Sequence, residues 1–325
     1  MKDYILLNCL TNVHFIIFIC LFVCICSIDL FARLSQHKGS SEIKMPIKLE
    51  RKHALPMTLV PIMMALGFVL FKLYTASKIT NPETGRVSRI NLKPEQELQL
   101  GIEAYAQVKK DEASKIIQSG RDVDLVKRVT TKLAAAAAQR ATVHYNWEVS
   151  VVQSHEKNAF CLPGGKIVVY TGIIPIAQNE AGLATVLGHE MAHATSRHSA
   201  ERLFRSDITQ TLLGGVQGSL AQLDPSQKQA VMAALGAGAK YGSALPFSRE
   251  QESEADHIGL LYMARAGYDP KEAVAFWQRM DEQIGKGSPP EFLSDHPSHG
   301  KRIEQLRKWM PEAEQELAHN RAPAA

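Results

Sequence analysis

The stretch Ala181-Gly182-Leu183-Ala184-Thr185-Val186-Leu187-Gly188-His189-Glu190-Met191-Ala192-His193 joins a run of small and apolar residues to two histidines four positions apart. On a helix, positions i and i+4 lie one turn apart on one face, so both imidazoles can bind one zinc ion while Glu190, between them, reaches a water on that ion. With 12 His in 325 residues, composition alone predicts about 0.03 chance occurrences of His-Glu-x-x-His. The preceding run predicts a helix buried on most sides, where two imidazoles need a partner.

A catalytic zinc site takes three protein ligands and keeps a position open. A third histidine ten residues after His189, with Gly at seven, would mark the metzincin register, but Ser199 and Ser196 stand there and His198 is one residue off. The alternative is a carboxylate on a later helix. Ser248-Arg249-Glu250-Gln251-Glu252-Ser253-Glu254-Ala255-Asp256 begins with capping-box spacing between Ser248 and Gln251, which puts Glu252 and Asp256 on one face of a helix start. Spacing alone does not choose among Glu250, Glu252 and Glu254.

Outward from the motif, the pattern predicts helices over 94–118 and 121–140, the second containing the alanine run Ala134 to Ala138. Strands are predicted over 147–152 and 166–170, on either side of Pro163-Gly164-Gly165. After Tyr170 come helices over 179–204, 206–222, 225–240, 249–266, 270–284 and 299–317. The expected fold is α+β and mostly α-helical, with a small β-sheet beside the helix that carries the motif. Residues Leu212 to Pro246 are rich in Ala and Gly, but Asp224, Lys228 and Lys240 cut them into pieces too short to span a bilayer, so packed helices near the site are expected.

Toward the N-terminus the chain becomes apolar. Tyr4 to Ile28 and Ala54 to Phe71 contain no Asp, Glu, Lys or Arg, and each run is long enough to cross or nearly cross about 30 Å of hydrocarbon, the second extending toward Ala76 if Lys72 snorkels. Between them Arg33, Lys38, Lys44, Lys48, Arg51 and Lys52 outnumber Glu42 and Glu50, which favours the cytoplasmic side for this segment. One or two transmembrane helices therefore precede the folded domain, and either count places residues 77 to 325 across the membrane. Met45, followed by a short basic stretch and one apolar run, reads as an alternative start. The expected division is a hydrophobic segment 1–31, a basic cytoplasmic segment 32–53, an anchor 54–76, a linker 77–90 with Asn-Pro and Thr-Gly turn signals, a domain 91–318 and a tail 319–325.

Composition narrows the function further. Apolar residues make up 45% and charged residues 22%, and 37 basic against 33 acidic residues leave +4, which excludes a strongly basic nucleic-acid binder and an acidic disordered chain. Four of five cysteines lie in the first apolar run, and Cys161 alone gives no disulfide scaffold. No fixed-period repeat is present, and nothing in the sequence sets an oligomeric state.

Four blocks in order carry a resemblance: Asn158-Ala159-Phe160; Gly188 to His193 with Arg197-His198 and Glu201-Arg202; Ser248-Arg249 to Ala255-Asp256; and His296-Pro297 with Arg302-Ile303. Over about residues 91 to 310 they resemble the gluzincin metallopeptidases that include HtpX, the CAAX prenyl protease and the mitochondrial Oma-type proteases. The segment Asn81 to Arg86 and the compact length are most similar to the Oma-type and bacterial periplasmic branch. The resemblance implies a zincin-like metallopeptidase domain holding one zinc ion, with His189, His193 and Glu252 as ligands and Asp256 orienting a ligating histidine. It implies Glu190 as the general base, with Asn158 or His296 assisting the oxyanion, or His296 as a reversible fourth ligand that closes the site. His155, His198, His257 and His299 receive no role. The expected activity is that of an endopeptidase of envelope or membrane quality control, anchored in the lipid bilayer and acting on unfolded or misassembled polypeptides. The expected location is the bacterial inner membrane with the catalytic domain on the extracytoplasmic side, the mitochondrial inner membrane being the second choice. A membrane-tethered holdase or assembly factor with a closed or structural zinc is the rival from another class.

Overall fold

The computed structural model describes residues 59–140, 143, 145–220, 247–285, 291–296 and 300–321. The upstream apolar run, the basic segment and the predicted helix 225–240 lie outside them. Helix α1 (Val60–Thr75) starts with a proline in its first turn and ends with Lys72 in its last, where a cation faces the negative end of the helix dipole. It occupies most of the expected anchor 54–76, the first five residues of which lie outside the described ones. Among the described residues no helix is long and apolar enough to cross a membrane.

Residues 77–90, expected as a linker, instead form an antiparallel hairpin of β1 (Ser77–Thr80) and β2 (Val87–Ile90). Its turn uses the Asn-Pro and Thr-Gly signals, with Asn81 accepting from Gly85 and Gly85 at φ +71. The strands carry little signal in the sequence because each is four residues long, β1 has no buried residue, and β2 buries only Ser88 and Ile90.

Helix α2 (Pro94–Asp111) follows, shorter than predicted because the chain turns into strand β3 (Ile116–Ile117). Helix α3 (Arg121–Ala138) buries Val123, Val126, Val129, Leu133, Ala136 and Ala137 along one stripe, so its alanine run is a packing face. Strands β4 (Glu148–Val152), β5 (Ala159–Leu162) and β6 (Lys166–Tyr170) complete a four-stranded sheet in the order β3-β4-β6-β5. β4 and β6 run parallel, while β5 folds back antiparallel on β6 through Gly164 and Gly165, both at positive φ. Helix α2 lies against this turn at Gly101, where an added Cβ would meet Pro163 O at 1.8 Å.

The sheet separates two apolar layers. On one face Val152, Val168 and Tyr170 pack with Tyr105 of α2. On the other, Val151, Ile167 and Val169 join the main core, to which α5 (Glu180–Thr195) contributes Leu183, Ala184, Val186, Leu187, Met191 and Ala192. The alternation along β6 is the period of two expected of a strand covered on both faces. A short helix α4 (Ile174–Ala177) leads into α5, whose N-cap Asn179 accepts from Gly182 N at 2.8 Å.

One predicted helix, 179–204, is two. Helix α5 ends at Thr195 and α6 (His198–Leu220) begins after Arg197, a non-glycine residue at φ 56. Arg197 is held there by Glu97, which accepts from its Nε at 2.6 Å, and by Leu92 O. Those partners are some 100 residues away in sequence and give no local signal of the break. Helix α7 (Arg249–Arg265) starts with the capping box read from Ser248 and Gln251. Helices α8 (Lys271–Gly285), α9 (Phe292–Asp295) and α10 (Arg302–Arg321) close the core around Phe276, Trp277 and Phe292.

Candidate metal centre

Helices α5 and α7 approach closely enough for side chains of both to share one space, and glycines permit it. A Cβ on Gly259 would lie 2.8 Å from His189 N, and one on Gly188 would lie 3.0 Å from Gly259 O. This crossing brings Glu252, one turn inside α7, up to His189 and His193 on α5. His296, at the end of α9, enters from a third side. One ligand atom from each of His189, His193, Glu252 and His296 lies within 4.8 Å of the others, and all four residues are buried.

The nitrogens converge. His189 Nε2 is 3.1 Å from His193 Nε2 and 3.2 Å from His296 Nδ1, while Glu252 Oε1 is 3.3 Å from His193 Nε2 and 3.0 Å from His296 Nδ1. Ligands about a tetrahedral zinc with bonds near 2.0–2.1 Å stand roughly 3.3 Å apart, so these donors fit that ion. The electrostatics agree with a cation site. Burial alone would raise the Glu252 carboxyl, but its bonds to His189, His193 and His296 hold it well below the usual range. Burial also pushes His193 well below its ordinary value, leaving a neutral imidazole with a lone pair to give.

Each α5 histidine is turned by a group behind it. His189 Nδ1 faces Asp256 Oδ1 at 2.9 Å. Arg302 bridges that carboxylate to the donor set, its Nε donating to Asp256 Oδ2 at 2.7 Å and its Nη2 to Glu252 Oε2 at 2.6 Å, with the guanidinium 3.8 Å from the centre of the Trp277 ring. His193 Nδ1 faces His198 Nδ1 at 2.9 Å, and His198 Nε2 meets Glu254 Oε2 at 2.9 Å. Aromatic rings enclose the set: Phe247 lies 4.0 Å from the His193 ring, and Phe292 stacks on His296 at 4.4 Å.

Glu190 stands between this set and the sheet. Its Oε2 accepts from Cys161 N at 3.2 Å, and its Oε1 lies 3.3 Å from His296 Nε2. Burial pushes the carboxyl up, opposed by the charges of His296 and His189. Strand β5 is the edge of the sheet. The Tyr170 N–H donates to Asn158 O, so alternate residues Ala159 and Cys161 turn their backbone groups to the unpaired side, where Glu190 sits.

The structure thus brings His189, Glu190, His193, Glu252, Asp256 and His296 together. Glu250 and Glu254 stay outside the four-residue donor group. Asn158 is at the edge strand as expected, but its side chain donates to Glu156 Oε1 at 3.2 Å rather than to the cluster. In the sequence Arg302, His198 and Arg86 stand as motif letters, His198 also as a histidine one residue off the metzincin register, and none has a role. Their partners lie 46, 56 and 168 residues away, and local spacing carries no trace of such contacts.

The model of peptidase family M48 matches residues 122–310, which include every residue of the donor set. The chain is 37% identical over 220 residues to the mitochondrial metalloendopeptidase OMA1 of Schizosaccharomyces pombe, covering 67% of this chain and 62% of that protein. The human mitochondrial metalloendopeptidase OMA1 is 37% identical over 180 residues, 52% of this chain and 33% of its own. The beta-barrel assembly-enhancing protease of Escherichia coli is 28% identical over 238 residues, 72% of this chain and 48% of its own. The chain thus spans less than two thirds of the length of these relatives. Matched over more than half of its own length, it belongs to peptidase family M48.

Proposed function

We propose that the chain is a membrane-anchored zinc endopeptidase that cuts internal peptide bonds of misfolded or misassembled membrane and envelope polypeptides. The observation that carries this reading is the position of Glu190, one oxygen on the backbone of an edge strand and the other on the donor set. An extended segment added beside β5 would put a scissile carbonyl next to both, and its main-chain hydrogen bonds would supply affinity without strong sequence choice.

His189, His193 and Glu252 would hold the zinc. When bound, it supplies Lewis-acid polarisation of the carbonyl and acidifies a water. Glu190 takes a proton from the attacking water and returns it to the departing amine, and its buried, upward-shifted carboxyl suits a group that both accepts and gives. His296, through Nε2, can donate to the oxygen that becomes negative as the carbonyl is attacked. Asp256 and Arg302 hold the ligands in place.

The apolar runs upstream of residue 76 support the anchor, and the basic segment between them supports an extracytoplasmic side for the domain, with a bacterial inner membrane as the proposed location. The similarity to a mitochondrial metalloendopeptidase and to a beta-barrel assembly-enhancing protease supports a role in envelope or organelle quality control.

The test is digestion of an unfolded protein by the zinc-loaded chain beside Glu190→Gln at equal zinc content. The variant is expected to lose about 10²- to 10⁴-fold in rate while keeping the metal. A Glu190→Gln protein that cuts at the parental rate would refute the assignment. One observation favours a second reading: His296 stands inside the donor set, as a fourth ligand of a closed site would. A holdase with such a site would suppress client aggregation equally well in the parent and in the Glu190→Gln variant, so the same pair of proteins distinguishes the two.

A further inference from the structure

Two routes support the two α5 histidines from behind, and they differ. His189 is backed directly by Asp256, whereas His193 is backed by another imidazole, and that imidazole by Glu254. His198 is completely buried, and Glu254 and Glu201 nearly so. The chain of contacts continues beyond Glu254. Arg86 Nε donates to Glu254 Oε2, Thr84 Oγ1 donates to Glu254 Oε1, and Arg86 Nη1 and Nη2 donate to Glu201 at 3.2 and 2.9 Å. Gln251 completes the set, its Nε2 donating to Glu201 Oε2 at 2.9 Å and to His198 O at 3.3 Å.

The donor and acceptor roles along this chain are forced. Arg86 has no acceptor, so Glu254 accepts from it as a carboxylate and must accept from His198 as well. His198 therefore carries its proton on Nε2. Arg86, shared between Glu254 and Glu201, and Arg205 on Glu201 together balance the two carboxylates, and a third cation on the fully buried His198 would be costly, so His198 is neutral and its Nδ1 is bare. A bare Nδ1 at 2.9 Å from His193 Nδ1 must accept, which places the His193 proton on Nδ1. His193 Nε2 is then left with its lone pair, and it is Nε2 that points into the donor set.

We propose that His198 and Glu254 are positioning residues that select the metal-ligating tautomer of His193, and that Arg86, on the hairpin preceding the peptidase domain, locks them in that state. The inference rests on the reading of His193 as a ligand. It assigns the β1–β2 hairpin a part in metal retention, although residues 77–90 lie outside the 122–310 matched to the family. The hairpin is fixed in register for this task. Asn81 Nδ2 donates to Ser196 Oγ at 2.8 Å, and Glu83 accepts from Arg265 Nη1 and Nη2 at 2.6 and 2.9 Å.

The test measures zinc affinity of the full-length chain in detergent, stripped of metal and titrated against a chromophoric chelator. His198→Leu is expected to weaken zinc by about 10- to 100-fold, the usual cost of losing a group that orients a ligand. His198→Gln is expected to stay within about threefold of the parent, because its amide oxygen can accept from His193 while its NH₂ donates to Glu254. Arg86→Gln is expected to fall between them. Parental affinity in a folded His198→Leu protein, or equal losses in the Leu and Gln variants, would overturn the proposal. Should His198→Leu not fold, nitrogen-15 spectra of the histidines in the metal-free parent decide: a His193 proton on Nδ1 sustains the relay, and one on Nε2 overturns it. His193→Ala reports on the underlying reading. Parental affinity there would overturn the ligand assignment itself, whereas parental affinity in His198→Leu alone overturns only the relay.

Discussion

At the scale of single residues, Arg302 is the side chain on which the metal centre most depends without belonging to it. It is buried, it donates to two carboxylates, and it stacks over Trp277. Arg302→Met is expected to cost about 3–5 kcal/mol, because it removes the buried cation that Glu252 and Asp256 share. Arg302→Lys should recover only part of that, since an ammonium cannot match the two-pronged geometry. Denaturant unfolding of the metal-free proteins measures both. Glu201 gives a pH dependence of definite sign. Burial alone would raise its carboxyl, but hydrogen bonds and charge from Arg86, with the charge of Arg205, hold it below its ordinary 4.5. A group whose pKa is lower in the folded state contributes stability above the unfolded value and loses it as pH falls through the folded one. The difference in thermal midpoint between the parent and Glu201→Gln is therefore expected to be full above pH 4.5 and to shrink below it. A gap that stays constant from about pH 6 to about pH 3 would contradict this. The sequence exposes these residues unequally. His189, Glu190 and His193 are legible because their relation is one helical turn, and Asp256 relates to Glu252 in the same way. The choice of Glu252 over Glu250 and Glu254 is not, because it depends on how far α7 has rotated when it meets α5.

At the scale of elements, the crossing of α5 and α7 at Gly188 and Gly259 sets the spacing of the donor set. Gly259→Ala would place a methyl 2.8 Å from His189 N, and backbone cannot step aside as a side chain can. A loss of about 1–3 kcal/mol is expected from overpacking, together with weaker zinc binding as Glu252 is carried away from the histidines. Thermal unfolding with and without zinc would show it, and a variant matching the parent in both would mean that the crossing is less tight than described. Three helices were well marked by their period: α3, α7 and α8 lie within two residues of their predicted limits. The hairpin was not, because its two strands are short and its hold on the domain comes through Glu83, Thr84 and Arg86 at the turn. The break at Arg197 was not legible either, since a left-handed arginine is stabilised there by Glu97 and Leu92 of a distant segment.

At the scale of the whole molecule, α1 is part of the folded unit as well as of the expected anchor. Its Ala65 packs against Gly215 of α6, where an added Cβ would stand 2.3 Å from the Ala65 Cβ, and Lys72 Nζ joins Asp207 Oδ1 at 2.8 Å. Met63, Met64, Leu66, Phe68 and Leu70 on the same helix remain exposed. A chain beginning at residue 77 is therefore expected to be more soluble than one beginning at 55 but to unfold at a lower temperature, because the α6 face around Gly215 and Ser219 loses its cover. Equal midpoints for the two truncations would show that α1 serves the membrane alone. The open side of β5 has a different kind of consequence. A segment can pair there only if its own amides are free, so a well-folded client would be protected by its own hydrogen bonds rather than by lacking a recognition motif. Its lifetime would then follow its local opening equilibrium: while opening is fast compared with cutting, each ~1.4 kcal/mol taken from a client's local stability should shorten its survival about tenfold, whatever its sequence.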